Sequence, residues 1–227
     1  IAFITPAILS FAIMFLYPVL RTVFISFFSV ESVTAPTDKW VSVGIDNYIK
    51  IWQNNAFRVS MFNIFKVWLI GGAIVLSISL LFAVILTSGV RFKSFWRAAI
   101  YLPNVISAVA LATMWLQFVF QQKYGLINGF FKAIGAESLA KINWLSSDMK
   151  FWAMLIAFCF GSVGYYMLIF LSGIERIPEE YYEAATIDGA SKWKQFTNVT
   201  MPLLKGVFKT NLTFWSINTV IFFVLSK

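Results

Sequence analysis

Along the chain, apolar positions gather into long unbroken runs instead of recurring at half-buried spacing. Five runs carry no charge: 1–20, 67–90, 98–122, 151–174 and 210–226, of 20, 24, 25, 24 and 17 residues. A helix needs about 20 apolar residues to cross a hydrocarbon core. Backbone groups find no water there, so a continuous apolar run crosses as a helix that satisfies its own hydrogen bonds. The pattern predicts an all-α, polytopic transmembrane helical bundle. Its spans cover about 1–28, 63–90, 98–122, 151–174 and 207–226, in one domain over 1–227.

The runs also isolate one polar block. Residues 177–201, IPEEYYEAATIDGASKWKQFTNVTM, hold four of the ten acidic residues and lie inside a loop, 175–205, between two apolar runs. Pro178 suits the first position of a helix, and Glu179, Glu180 and Glu183 suit its positive end. Tyr181, Ala184, Ala185 and Asp188 share one side by the three-and-four rule. Gly189 fits the left-handed position that ends a helix. Ser191 caps a second helix over 192–200, which Pro202 stops. The predicted shape is helix, glycine corner, helix. An amphipathic loop on the membrane surface is the competing reading, and it expects a basic face with large apolar anchors. An acidic helix with an alanine face suits a protein partner better.

The other connections are shorter on signals. Tyr48, Ile49, Ile51 and Trp52 form the apolar side of a short helix within the loop 31–58. Gly71-Gly72-Ala73 either lets another helix come close or faces lipid without consequence. The segment 90–97, VRFKSFWR, has three basic residues and no acid, which marks it as cytoplasmic. Alternation then puts 123–150 outside, where Leu126, Ile127, Phe130, Phe131 and Ile134 form an interfacial amphipathic helix. Pro103 falls near the start of the third span, where its missing N–H costs nothing.

Composition narrows the chemistry. Only 12% of residues are charged, against 59% hydrophobic, and soluble domains carry about 25% charged residues. The net charge of +8 belongs to loops beside anionic membrane lipid; no basic run interleaves with a soluble fold, so nucleic acid is excluded as a partner. There is no histidine, one cysteine (Cys159, within a span) and no GxxxxGK[ST] phosphate loop. The chain therefore predicts no metal site, no bound cofactor and no enzyme activity of its own.

Several of these residues together resemble a known family. Glu183-Ala184-Ala185, Asp188-Gly189-Ala190, Phe196 and Met201-Pro202-Leu203-Leu204 are similar to the EAA signature of ATP-binding-cassette (ABC) importer permeases. Gly44-Ile45-Asp46-Asn47-Tyr48 with Phe57 and Asn63 resembles the first outer loop of the carbohydrate branch. Arg97 with Leu102-Pro103, Trp115, Tyr124-Gly125-Leu126-Ile127-Asn128, Trp144-Leu145 and Ile177-Pro178 extend the likeness over nearly the whole chain. Gly206 and Phe160 depart from it, where the family usually has proline and often tryptophan.

The resemblance implies a type I importer permease with five spans here and a sixth beyond Lys227. It implies that Glu183, Ala184, Ala185, Asp188, Gly189, Ala190 and Pro202 couple to a cytoplasmic ABC ATPase pair, where ATP and Mg bind. It further implies a second homologous permease in a heterodimer, an extracellular solute-binding protein, and a bacterial or archaeal cytoplasmic membrane. The solute expected is a carbohydrate, such as an oligosaccharide, with a polyol or a glycerol phosphodiester as the alternatives. Sugars are held by hydrogen bonds and ring stacking, so Asn104, Tyr165, Asn211, Trp215 and Asn218 are the candidate substrate contacts; each could instead be a helix–helix bond or an interfacial anchor. Two rival readings remain at the level of sequence. A secondary transporter expects charges within its spans, and the five runs hold none. A membrane anchor without transport would not need the permease pattern.

Overall fold

The computed structural model describes residues 3–30 and 40–225, with side chains as far as 221. Pro36 of the first outer loop and residue 226 of the expected fifth span lie outside the described residues. The chain falls into two compact units, Ile1–Asn63 and Ile64–Lys227.

In the first unit, helix α1 (Thr5–Ile25) is 21 residues long and none of its most apolar window is buried. A helix that is apolar all round suits lipid or another helix. It ends at Ile25, short of the expected 28, and the backbone then turns into a two-residue antiparallel ladder. Phe28–Ser29 (β1) pairs with Val41–Ser42 (β2), with Phe28 opposite Ser42. The all-α expectation is corrected to that extent. The cause lies in the motif around Asn47, in helix α2 (Asp46–Gln53). Its side chain donates to the carbonyls of Ser26 and Phe28, both at 2.9 Å, and the Tyr48 hydroxyl lies 2.6 Å from Ser26 Oγ. Carbonyls left open past the helix end are thus taken by side chains.

The second unit is built around three helices. These are the part of α3 (Asn55–Thr87) from Ile64 onward, α8 (Lys150–Ile174) and α11 (Lys205–Leu225). Val75, Tyr166, Met167, Phe170 and Trp215 form the densest part of the core. Lipid is as apolar as leucine, so close packing and interhelical bonds hold such helices together. Ser79 Oγ supplies one of these bonds, donating to the Val163 carbonyl at 2.8 Å. Beyond the apolar run 98–122, the buried Asn128 on α6 (Leu126–Ala133) organises the loop after it. It donates to Ile142 O at 3.1 Å and accepts the Trp144 indole N–H at 2.8 Å. The short helix α7 (Glu137–Ala140) lies within that loop.

The expected third span is not one straight helix. Lys93–Val105 (α4) and Ala108–Val119 (α5) meet at 97°. Pro103 sits inside α4, in its last turn rather than near a start, and Ile106 is extended with ψ 139°. A proline ring there clashes with the carbonyl four residues back. Ser107 Oγ then accepts the Ala110 amide at 3.2 Å and starts the new helix. On the other side, a Cβ on Gly164 would lie 2.4 Å from Ile100 O, so glycine lets α8 approach the α4 backbone.

Among the described residues, three helices are long and apolar enough to cross a membrane, α1, α3 and α8, and the bent pair would make a fourth. Helix α11 has the required length at 21 residues, yet its Asn, Thr, Ser and Lys side chains keep it out of that set.

Candidate functional site

Two polar regions stand out in the second unit. The first is the block after α8. It forms α9 (Glu179–Ile187), a turn, and a helical stretch α10 over 192–203. Pro178 occupies the capping position just before α9, one residue earlier than expected. Gly189 has φ +73°, the left-handed corner that favours glycine. Its amide bonds Thr186 O at 3.0 Å and the Ala190 amide bonds Ala185 O at 2.8 Å, which closes the helix end. Ser191 caps α10 through Oγ, which accepts the Lys194 amide at 3.4 Å.

The bend is fixed by side chains that the spacing of the motif did not reveal. Gln195 is buried and donates to Thr186 Oγ1 at 2.9 Å and to Ala190 O at 3.3 Å. The Tyr182 hydroxyl lies 2.9 Å from Thr200 Oγ1. These four polar side chains tie α9 to α10 at both ends of their contact. The outer surface of the corner carries Glu183, Ala184 and Asp188, all exposed, while Ala185 and Ala190 are half-buried. Ile187, 87% exposed, and Trp193, 71% exposed, project from the same element. In the sequence they are set among charged residues, Asp188 beside Ile187 and Lys192 and Lys194 beside Trp193.

Pro202 does not stop the second helix. Its predecessor, Met201, bonds Phe196 O five residues back, closing a wide π turn over Phe196–Thr200. The wide turn relieves the clash between the proline ring and the preceding turn. The same device admits Pro18 in α1, where the Tyr17 amide reaches Ala12 O. Helix therefore runs to Leu203, and α11 begins at Lys205 with only Leu204 between them. At the other end of the block, Lys93 Nζ lies 2.6 Å from Glu175 Oε1, which ties the basic segment 90–97 to the start of the polar loop.

The second region is a cavity of about 390 Å³ lined by Asn104, Ser162, Tyr165, Tyr166 and Asn218. It gathers three of the five candidate substrate contacts. Asn218 Nδ2 donates to the Tyr166 hydroxyl at 3.0 Å, leaving the phenol proton for another acceptor. Asn104 Nδ2 reaches the Gly161 carbonyl at 3.3 Å. Tyr165 stands edge-on to Tyr166, ring centres 5.1 Å apart. A larger cavity of about 910 Å³, mostly apolar, adjoins along Asn104, Phe158 and Ser162 and runs under the bend between α4 and α5. Asn211 and Trp215 lie elsewhere. Both are fully buried; the Trp215 indole N–H donates to Trp68 O at 2.8 Å, and neither amide atom of Asn211 has a partner among the described residues. They face helices, not the cavity.

This is an apolar helical bundle with a structured polar corner, the architecture of a membrane transport component. The match to known proteins names the family. Residues 76–226 match the binding-protein-dependent transport system inner membrane component family, and the chain belongs to it. A probable ABC transporter permease protein, YesP of Bacillus subtilis strain 168, is 33% identical over 98% of this chain and 70% of its own length. The probable starch degradation products transport system permease protein AmyD of Thermoanaerobacterium thermosulfurigenes is 29% identical, over 92% of this chain and 69% of its own. The fold is also that of a bacterial ABC transporter that imports the acidic polysaccharide alginate, with TM-score 0.76 at 21% identity, over 94% of this chain and 70% of that one.

Proposed function

We propose that this chain is the permease subunit of an ATP-driven carbohydrate importer, and that the corner at 175–205 is where a separate cytoplasmic ATPase engages it. The observation that carries the reading is the corner itself. It is a rigid element, cross-linked by four polar side chains, that presents Glu183 outward and continues almost directly into α11. A docking element must transmit displacement, and internal bonding with one intervening residue leaves little slack. Glu183 supplies the ionic contact, Ala184 and Ala185 allow close approach, Asp188, Gly189 and Ala190 make the corner, and Pro202 sits in the second arm. Closure of two ATPase subunits around ATP and Mg pushes the corner and tilts the helices, which opens the path alternately to each side.

In the membrane, α1, α3, the bent α4–α5 pair, α8 and α11 act as five spans of one permease domain, with 90–97 and the corner on the cytoplasmic side. The Lys93–Glu175 pair supports that placement, because it joins two segments expected on the same face. A bacterial or archaeal cytoplasmic membrane houses the assembly, with a second, homologous permease and an extracellular solute-binding protein. The carbohydrate assignment rests on relatives such as AmyD and on the chemistry of the cavity. Asn104, Asn218 and the two tyrosines offer hydrogen bonds and ring faces to a hydroxyl-rich solute.

Glu183→Lys reverses the docking charge. It should abolish nucleotide-driven transport by the reconstituted complex while leaving membrane insertion intact. Substrate-stimulated ATPase activity at the normal level in that variant would sink the assignment.

A further inference from the structure

The proposed function leaves open how movement at the corner reaches the polar cavity. We propose that a clasp between two tryptophans, Trp68 on α3 and Trp215 on α11, is the joint that carries it. Trp68, Gly72 and Trp215 are then positioning residues for the solute site. This proposal rests on the reading of the corner as the coupling element.

The clasp is reciprocal. The Trp215 indole N–H donates to the Trp68 carbonyl at 2.8 Å, and the Trp68 indole N–H donates to Ser216 Oγ at 2.9 Å. The Trp68 carbonyl also takes the Gly72 amide within its own helix, so both of its lone pairs are engaged. Gly71 and Gly72 form the floor on which the indole lies. A Cβ on Gly72 would stand 2.6 Å from Trp215 Nε1, and one on Gly71 would stand 2.9 Å from Cζ2. No other residue type leaves room for the ring at this distance.

The far side of the same indole backs the cavity wall. Trp215 packs against Phe158 with ring centres 5.4 Å apart, and against Tyr166 at 5.7 Å, edge to face. Phe158 and Tyr166 both line the cavity, and Asn218, less than one turn beyond Trp215, holds the Tyr166 hydroxyl. Any shift of α11 against α3 therefore moves three groups of the solute site at once. One turn below the clasp, Asn211 is fully buried, and both of its amide atoms are unpaired among the described residues. A contact fixed in one arrangement would gain from an apolar side chain there. The unmet amide fits a helix that meets different neighbours in a second arrangement.

The test uses the complete transporter in proteoliposomes, with Cys159→Ser and Ser162→Cys in this chain. The probe is a membrane-impermeant maleimide, applied without nucleotide and after trapping with ATP and vanadate. Labelling of the cavity cysteine should change at least about fivefold between the two states, within the range of allosteric coupling. Adding Trp215→Phe, Trp68→Phe or Gly72→Ala should shrink that change below about twofold while the assembly still hydrolyses ATP. A merely structural role would lower assembly and hydrolysis together and leave the labelling change of the surviving complex intact. Retention of the full labelling change in Trp215→Phe and Trp68→Phe overturns the clasp. Glu183→Lys serves as the reference. If it too retains the change, the reading of the corner fails; if it alone loses the change, the corner stands and the clasp falls.

Discussion

The corner at 175–205 and the inner face of α11 are both polar regions joined to the same helix, yet they are assembled in opposite ways. In the corner, bonding partners lie close in sequence: Tyr182 with Thr200, Thr186 with Gln195, Gln195 with Ala190. On α11 the partners are 147 and 148 residues away, in the Trp215–Trp68 and Trp68–Ser216 bonds. The corner can form as soon as its own segment is made, and water reaches part of its bonding through the exposed Thr186. The inner face depends on two glycines and a carbonyl from a distant helix, in surroundings where nothing replaces them. Local polar structure is therefore tolerant, and distant polar structure in a membrane is not.

Three substitutions sharpen or break that contrast. The largest effect should come from Gly72→Leu, which drives a branched side chain into the Trp215 ring. Overpacking of this kind costs about 3 kcal/mol, and titration with a denaturing detergent should show the loss directly; an unchanged midpoint would contradict the close approach. Asn211→Leu should act in the other direction. Replacing an unpaired buried amide with a side chain of similar size should raise stability by about 2 kcal/mol in the same titration. Transport per ATP hydrolysed should fall in that variant if α11 uses the amide in a second arrangement. Smallest is Tyr182→Phe in the corner, which removes one part-buried bond to Thr200 and should cost about 1 kcal/mol. A cost above that of Gly72→Leu would reverse the contrast.

The same division explains what could be read from the residues in advance. The helix–corner–helix form was legible because its signals are local: acids at a helix start, Gly189, Ser191. The apolar runs were legible because the bilayer imposes their length. The bend at Ile106 was not, because Pro103 reads equally as a benign helix start until the true start at Lys93 is known. Pro202 misled for a related reason, since a π turn just ahead of it has no sequence signature. Among the candidate solute contacts, Asn104, Tyr165 and Asn218 share a cavity while Asn211 and Trp215 are buried against helices. Residue type alone could not separate them, for a polar side chain in an apolar run serves a cavity or a helix contact equally well.

The junction at Leu204 has a further consequence. Because one residue separates α10 from α11, the angular phase between the corner and α11 is set by residue count alone. Each added residue rotates the downstream helix by about 100°. A single insertion at 204 would swing Trp215 from the glycine floor toward lipid without altering either helix. Insertions and deletions between Gly189 and Trp215 should therefore be purged through evolution, even those that leave every side chain of the corner in place.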